Sequence, residues 1–559
     1  MSSSATKERL SPPITATQVQ LFVFAVACLV AFVWSWIFLG MSFSGITSSF
    51  GDVGRLVKRM VPPDFSNLSN IVDATIETVW MAIMGTAGAI VLSFPLALGA
   101  ARNTSPHPTV RYICRTVISL TRAVPDLVLG AVFVSALSIG PLPGVLALAI
   151  HSIGMVGKLF ADAIEQAAEA PREATISVGA TRRQTTRASI LPQAMPSMIA
   201  TALFRLEINI RASTVLGLVG AGGIGVLIQT SLRSLDYESA LGAVAVIFVV
   251  VTAVELLSVR IRSAILGDAA AMAQSARHGW FSQRIIARDT RVNKKSFETR
   301  ALSPPWTWDR MFSTATISGF LLALAVAVLT IDIDWARTVP LMPQIITVFG
   351  DLFPPDFTTV RSEMVTGIVE SVVIAVIATG LGLLIAVPLS LLAARNIMTK
   401  RILSTVTRLV MLAFRGIPEL IIAVIFVSAM GLGPVPGTLA LTVVTASFSA
   451  KLFAEALEEV DAAPREAVLA VGAGKIQEFF ASVVPQFMPA FTGHFLYILD
   501  VNLRSSTVLG IVGGGGIGFL LLNSMRVLEF QTTGAIVMAI FGIVLAIELI
   551  GNWVRQLLR

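Results

Sequence analysis

In a chain of 559 residues, 55% hydrophobic and only 13% charged with a mean hydropathy of +0.81, the composition excludes an ordinary soluble protein and reads as a polytopic membrane protein. The net charge of +7 does not argue for nucleic-acid binding, because ten Lys/Arg stand against four Asp/Glu between Arg260 and Arg310 and this one linker holds six of the seven surplus charges. Cys28 and Cys114 lie in or beside apolar runs without metal-ligand spacing, and they do not report on redox compartment.

The apolar runs approach the ~20 residues that a ~30 Å hydrocarbon core requires of a helix rising ~1.5 Å per residue. The first, Leu21 to Gly40, is longer than the ~7–15 residues of a signal-peptide apolar region and lacks a small-x-small cleavage site, so it reads as a retained span. Six spans are predicted in the first half, near 19–40, 71–101, 111–139, 143–165, 193–218 and 239–260. Six more follow near 312–333, 364–394, 403–430, 436–460, 487–512 and 532–556. The runs from 71 and 364 are long for one crossing, which calls for tilt or an extramembrane turn.

Loop charge then sets orientation. The loop after the second span (Arg102, Arg111, Arg115), the loop after the fourth (Arg172, Arg182, Arg183, Arg187) and the linker are basic, whereas Gly140–Gly144 carries no charge. The positive-inside rule puts the basic loops and both termini in the cytoplasm. Arg55, Lys58 and Arg59 run against this assignment; Asp52, Asp64 and Asp73 partly offset them, and the segment is expected to be a short amphipathic piece on the outer surface.

The strongest feature is a duplication. Glu165–Leu227 aligns with Glu458–Leu520 without a gap at an offset of 293, and the same offset matches Arg122–Leu127 with Arg415–Leu420, Gly140–Gly144 with Gly433–Gly437, Lys158 with Lys451 and Glu255 with Glu548. Pro62–Phe65 recurs at 354–357, one residue out of step. Six spans is an even number, so the two copies share an orientation and are related by an axis along the membrane normal. The organisation is an all-α membrane protein with a first repeat over 1–265, a basic linker over 266–310 and a second repeat over 311–559.

Each copy carries two polar elements. At one end, Pro171, Arg172, Glu173 and Ala174, with Gly179 six residues after the glutamate, describe a short exposed helix between turns; Pro464, Arg465, Glu466, Ala467 and Gly472 repeat it. At the other end, Asn209, Arg211, Ser213 and Thr214 precede a glycine run, and Asn502, Arg504, Ser506 and Thr507 match them. An arginine in a membrane helix costs ~2.5–3.5 kcal/mol on insertion scales unless it faces a polar interior. Its fork of donors suits a tetrahedral oxyanion, which makes these candidate pathway residues; the alternative is pairing with Glu207 or Asp500, or snorkelling to the interface.

Gly220–Gly225 matches G-x-G-x-x-G, yet a dinucleotide site needs a soluble βαβ unit, and no phosphate loop of the G-x-x-x-x-G-K-[ST] type occurs in the chain. These glycines are expected to turn the chain or allow close approach. Arg122 and Arg415, just before the helix-bending Pro125 and Pro418, are candidate gate residues. Glu77, Glu370, Glu255 and Glu548 read as structural pairing partners, and His107, His151, His278 and His494 form no repeated cluster that would support a metal site or histidine catalysis.

The Pro-Arg-Glu-Ala loop with its spaced glycine and Leu191-Pro192 resembles the EAA loop of ABC importer permeases. It departs where Thr175 and Val468 replace alanine and Val484 replaces leucine before Pro485. The stretches NIRASTVLGLVGAGGIG and NLRSSTVLGIVGGGGIG, with the Arg-x-x-Pro element, look like the phosphonate importer permease subunit family. The resemblance implies a type I-like fold in a bacterial plasma membrane, no cofactor in this chain, and no enzymatic activity of its own. Two copies of a cytoplasmic ABC ATPase carrying ATP and Mg would dock on the loops around Glu173 and Glu466, and an extracytoplasmic binding protein would deliver phosphonate or phosphate. Family members are commonly single domains that dimerise, so this doubled chain is expected to supply the whole pore. An importer for methionine or another small metabolite, and an ATP-independent secondary transporter, are the alternatives.

Overall fold

The computed structural model describes residues 16–275 and 308–557 apart from Thr399, and every regular element among them is helical. Most of the basic linker therefore lies outside the described residues, as does His278. In the first repeat the helices are α1 Ala16–Phe38, α2 Phe43–Met60, α3 Leu68–Ala100, α4 Pro108–Ala123, α5 Asp126–Leu137, α6 Pro141–Glu165, α7 Glu169–Ser177, α8 Arg182–Thr185, α9 Leu191–Gly217, α10 Ile224–Arg233 and α11 Tyr237–Ser275. A π turn, Thr186–Ile190, joins α8 to α9. The same order recurs from Trp308 to Leu557, as the duplication requires.

Small residues explain the tightest packing. On α3 the buried face includes Ala82, Gly85 and Ala89, and a Cβ on Gly85 would stand 2.6 Å from the Leu148 Cβ of α6. With little hydrophobic drive between helices in lipid, such close backbone approach is what holds them. The second repeat does the same with Gly382 against Thr445, where a Cβ would come within 2.5 Å of the side chain.

Two predicted spans are not single helices. The 111–139 run bends by 84° between α4 and α5, and 403–430 bends by 82° between Arg401–Gly416 and Glu419–Met430. Pro125 and Pro418 sit at the breaks as N-caps of the second helices, since proline offers no amide hydrogen to continue the first. Among the described residues seven helices are long and apolar enough to cross a membrane, or eleven if each of four bent pairs is one span. Against twelve predicted spans the shortfall is α9, whose apolar run is interrupted by Arg205, Glu207 and Arg211.

The basic segment with Arg55, Lys58 and Arg59 is helix α2, bent 67° from α1 and capped by Ser42, whose Oγ accepts the Gly45 amide hydrogen at 3.0 Å. Leu56 and Met60 are buried while the three basic side chains are exposed, so the piece is amphipathic as expected. It is seated on the other repeat: Phe50 meets Phe426 edge-on at 5.8 Å. Reciprocally, Met342–Asp351 packs on α5, with Phe349 and Phe133 5.8 Å apart. Phe32 of α1 likewise fills the space over Gly380 of the second repeat's long helix. Each repeat thus lends its first helices to the other, and the two are one unit.

Candidate pathway and coupling surface

At one end of each repeat the chain leaves the bundle through a fixed joint. The carboxylate of Glu165, closing α6, accepts from the Arg102 backbone at 2.7 Å and from Arg115 at 2.8 Å; Glu458 takes the same contacts from Arg395 and Arg408. Beyond the joint stand α7 and its counterpart Ala462–Ala470, nine residues each with none buried. Pro171, Arg172, Glu173 and Ala174 lie on the first, Pro464, Arg465, Glu466 and Ala467 on the second, and Gly179 and Gly472 end the turns at φ +83° and +85°. A left-handed residue there favours glycine. Val178 and Val471 are 81% and 83% exposed, and Ile176 and Leu469 are exposed beside them. Each of these short helices buries nothing and ends in bare apolar side chains.

At the other end the glycine run is a joint of a different kind. Gly220, Gly222 and Gly223 all have positive φ, and a Cβ on Gly225 would fall 2.0 Å from the Thr214 carbonyl oxygen. The chain therefore folds α10 directly against α9, with Ile224 N–H donating to Thr78 Oγ1 at 2.8 Å. In the second repeat Gly516 N–H donates to Glu370 at 2.9 Å and Ile517 N–H to Ser371 at 3.0 Å. Glu370 is thus a structural partner of the turn, as the sequence suggested, and Glu77 lies against Gly222 in the same way.

The structure divides the eight candidate pathway residues into two groups. Asn209 is fully buried, donating to Thr86 Oγ1 at 2.9 Å and accepting from Ser152 at 3.2 Å; Asn502 donates to Thr379 at 2.9 Å and accepts from Thr445 at 3.0 Å. Ser213, Thr214, Ser506 and Thr507 are buried too and donate to backbone carbonyls of their own repeat. Asn209, Asn502 and Ser213 thus join neighbouring helices, while Thr214, Ser506 and Thr507 bond back onto their own helix. Arg211 and Arg504, in contrast, are only partly buried and sit among carboxylates. Arg211 Nη2 lies 3.0 Å from Glu207 and 2.9 Å from Glu255, and Arg504 pairs with Asp500. Among the described residues the buried Nε of each arginine has no hydrogen-bond partner.

Of the gate candidates, Pro125 and Pro418 make the bends, and Arg415 reaches across the repeats to Glu255 at 3.7 Å. Arg122 packs under α6, where a Cβ on Gly154 would stand 2.7 Å from its backbone nitrogen. His151 Nδ1 lies 3.0 Å from the Val124 carbonyl at the bend, and His107 caps α4 through Thr109 N–H.

One charged residue escaped the sequence reading. Arg205, 4% exposed on α9, donates from Nε to Ser152 Oγ at 2.7 Å and lies 3.5 Å from the Met155 sulfur. Its matched position in the second repeat is Ile498, so recurrence could not flag it; a charge inside the apolar stretch IATALFRLEINI was the available signal. Outside the bundle, Asp64 and Asp356 open the long helices. Asp64 accepts from the Ser66 hydroxyl and amide, and Asp356 from Thr358 and Thr359, which holds both carboxyls below the usual range.

A family model described as "Binding-protein-dependent transport system inner membrane component" matches residues 93–266 and again 386–559. A phosphate-import permease protein of Mycolicibacterium smegmatis is 43% identical over 506 residues, 90% of this chain and 89% of that one. A phosphite transport system permease protein of Stutzerimonas stutzeri is 46% identical over 206 residues, 37% of this chain and 75% of its own. Among solved structures, a chain of the MetNI methionine ABC transporter in an inward-facing conformation matches at 21% identity with a TM-score of 0.32, covering 35% of this chain and 96% of that one.

Proposed function

Since this chain belongs to the family of binding-protein-dependent transport system inner membrane components, we propose that it is the transmembrane permease of an ATP-driven importer for phosphonate- or phosphate-type oxyanions, with both halves of the pore supplied by one polypeptide. The family fixes the class: a multi-pass membrane protein that is a transport subunit rather than an enzyme. The substrate is read from the arginines. Arg211 and Arg504 are two permanent cations at matched places in two repeats, each beside a carboxylate one turn back on its own helix. The relatives named for phosphate and phosphite transport support the same chemistry. Asn209, Ser213 and Asn502 act by fixing the helices that carry the arginines to their neighbours.

On this reading the loops around Glu173 and Glu466 each receive one copy of a cytoplasmic ABC ATPase, which holds ATP and Mg. The termini share the cytoplasmic side with them, and a binding protein brings the oxyanion to the opposite face. Nucleotide binding then biases the pore between outward and inward states, because a ligand shifts an equilibrium only as far as it prefers one state. Glu165 and Glu458 are the rigid links from loop to bundle.

The observation that carries this is the pair of partly exposed arginines at matched places in the two repeats, and a double variant tests it. Arg211→Ala with Arg504→Ala abolishes oxyanion uptake by the reconstituted complex while the ATPase still assembles on the chain. Uptake at the wild-type rate in that variant sinks the assignment.

A further inference from the structure

A cavity of about 210 Å³ lies at the junction of the two repeats, on the far side of the Glu255 carboxylate that Arg211 also contacts. One wall is Glu255 of α11 in the first repeat; the others come from Arg408 and Arg415 on Arg401–Gly416 and Lys451 and Glu455 on Pro434–Glu458 in the second. Arg408 is fully engaged, bonding Glu458 and, at 3.0 Å, the Ala393 carbonyl. Arg415 and Lys451 are not. Each has a single carboxylate contact, Glu255 and Glu455 respectively, and both are 3.7 Å long, outside hydrogen-bonding distance. Two cations with unused donors therefore face one hollow, and three cations there outnumber two acids.

The chemistry missing from this hollow is an anion with several acceptor oxygens. A guanidinium fork and an ammonium around a shared space suit a tetrahedral oxyanion, whose oxygens can accept from both at once. The sequence repeats the arrangement at the offset of 293: Arg115, Arg122, Lys158, Asp162 and Glu548 match all five charged positions, while the neighbouring Met411 and Leu412 face Ile118 and Ser119. Arg115 is anchored on Glu165 as Arg408 is on Glu458. Lys451 stands seven residues before the end of its helix at Glu458, about 10 Å along the axis from the coupling loop.

We propose that this junction cavity is a binding site for a tetrahedral oxyanion of the phosphate class, held by Lys451 and Arg415 of the second repeat where it meets the first, and that the matched positions Lys158 and Arg122 offer the same chemistry. The proposal rests on the transport reading only for the source of the anion, which is either the transported ion or the phosphate of an anionic lipid. An anion seated there would draw Arg415 and Lys451 away from their long contacts with Glu255 and Glu455.

The test uses the full chain in nanodiscs and reads its thermal unfolding. In neutral phosphatidylcholine, titrated inorganic phosphate raises the melting temperature, and Lys451→Gln with Lys158→Gln raises the half-saturating concentration roughly tenfold, the loss expected for one charge-assisted contact per site. Lys451→Arg with Lys158→Arg keeps the response and shows that the fold tolerates change there. If phosphate is inert but phosphatidylglycerol stabilises the wild type and not the glutamine variant, the site stands with a lipid source. No stabilisation of the wild type in either arm, or equal responses in wild type and glutamine variant, overturns it. Oxyanion uptake by the wild-type complex alongside that null result removes this site alone; absent uptake alongside a phosphate response removes the transport reading alone.

Discussion

Replacing Gly225 with alanine strikes the joint between α9 and α10. The new Cβ would stand 2.0 Å from the Thr214 carbonyl oxygen and 2.9 Å from the Gly217 Cα, and ordinary contact begins near 3.4 Å. Both obstacles are backbone, so no rotamer change relieves them and the helices must part by more than 1 Å. Overpacking of this kind costs ~1–3 kcal/mol, and the helix-propensity gain of alanine over glycine, at most ~1 kcal/mol, offsets only part of it. Gly542→Ala is the control, because that glycine lies in Phe530–Leu557 with nothing within 4 Å. Thermal unfolding of the full chain in nanodiscs is the assay. Gly225→Ala melts well below the wild type and Gly542→Ala at or above it. Gly518→Ala, whose Cβ would be 1.8 Å from the Thr507 oxygen, falls at least as far as Gly225→Ala. A Gly225→Ala protein that melts with the wild type refutes the close approach as the reason for the glycine run.

Three other outcomes follow from particular contacts. Glu255→Gln leaves Arg211 and Arg415 without their shared carboxylate and lowers stability by ~2–4 kcal/mol; adding Arg415→Gln restores part of the loss, and a strictly additive double variant argues against a direct contact across the repeats. Val178→Asp with Val471→Asp leaves the melting temperature unchanged, since both side chains are exposed, but weakens ATPase assembly as measured by co-purification; full assembly places the docking surface elsewhere. Asp356 is held below the ordinary carboxyl range by Thr358 and Thr359, so its contribution is present above about pH 4 and is lost as pH falls through the lower folded-state value. Asp356→Asn accordingly flattens the acid limb of the stability profile, and an unchanged limb contradicts that role.

The sequence was most informative where a pattern recurs. The two short exposed helices, the glycine turns and the overall doubling were legible because the same residue types stand at the same spacing in both halves, while their neighbours differ. Hydropathy hid the bends at Pro125 and Pro418, because an apolar run has the same mean value whether straight or folded through more than 80°. Arg205 was invisible to recurrence because its match is Ile498. The roles of Asn209 and Asn502 required knowing that α3, α6 and α9 meet, which brings Thr86 and Ser152 to the same amide from far along the chain. The junction cavity needed still more: Glu255 and Lys451 share it only because α11 of one repeat packs on the other.

The central claim is that this chain alone forms a pore for oxyanions and that separate ATPase subunits drive it. Uptake into proteoliposomes containing the chain, its ATPase and its binding protein tests this most directly. The account predicts phosphate or phosphonate uptake that requires ATP and stops when the ATPase is omitted. Uptake that persists without the ATPase, or uptake of methionine with none of either oxyanion, would contradict it.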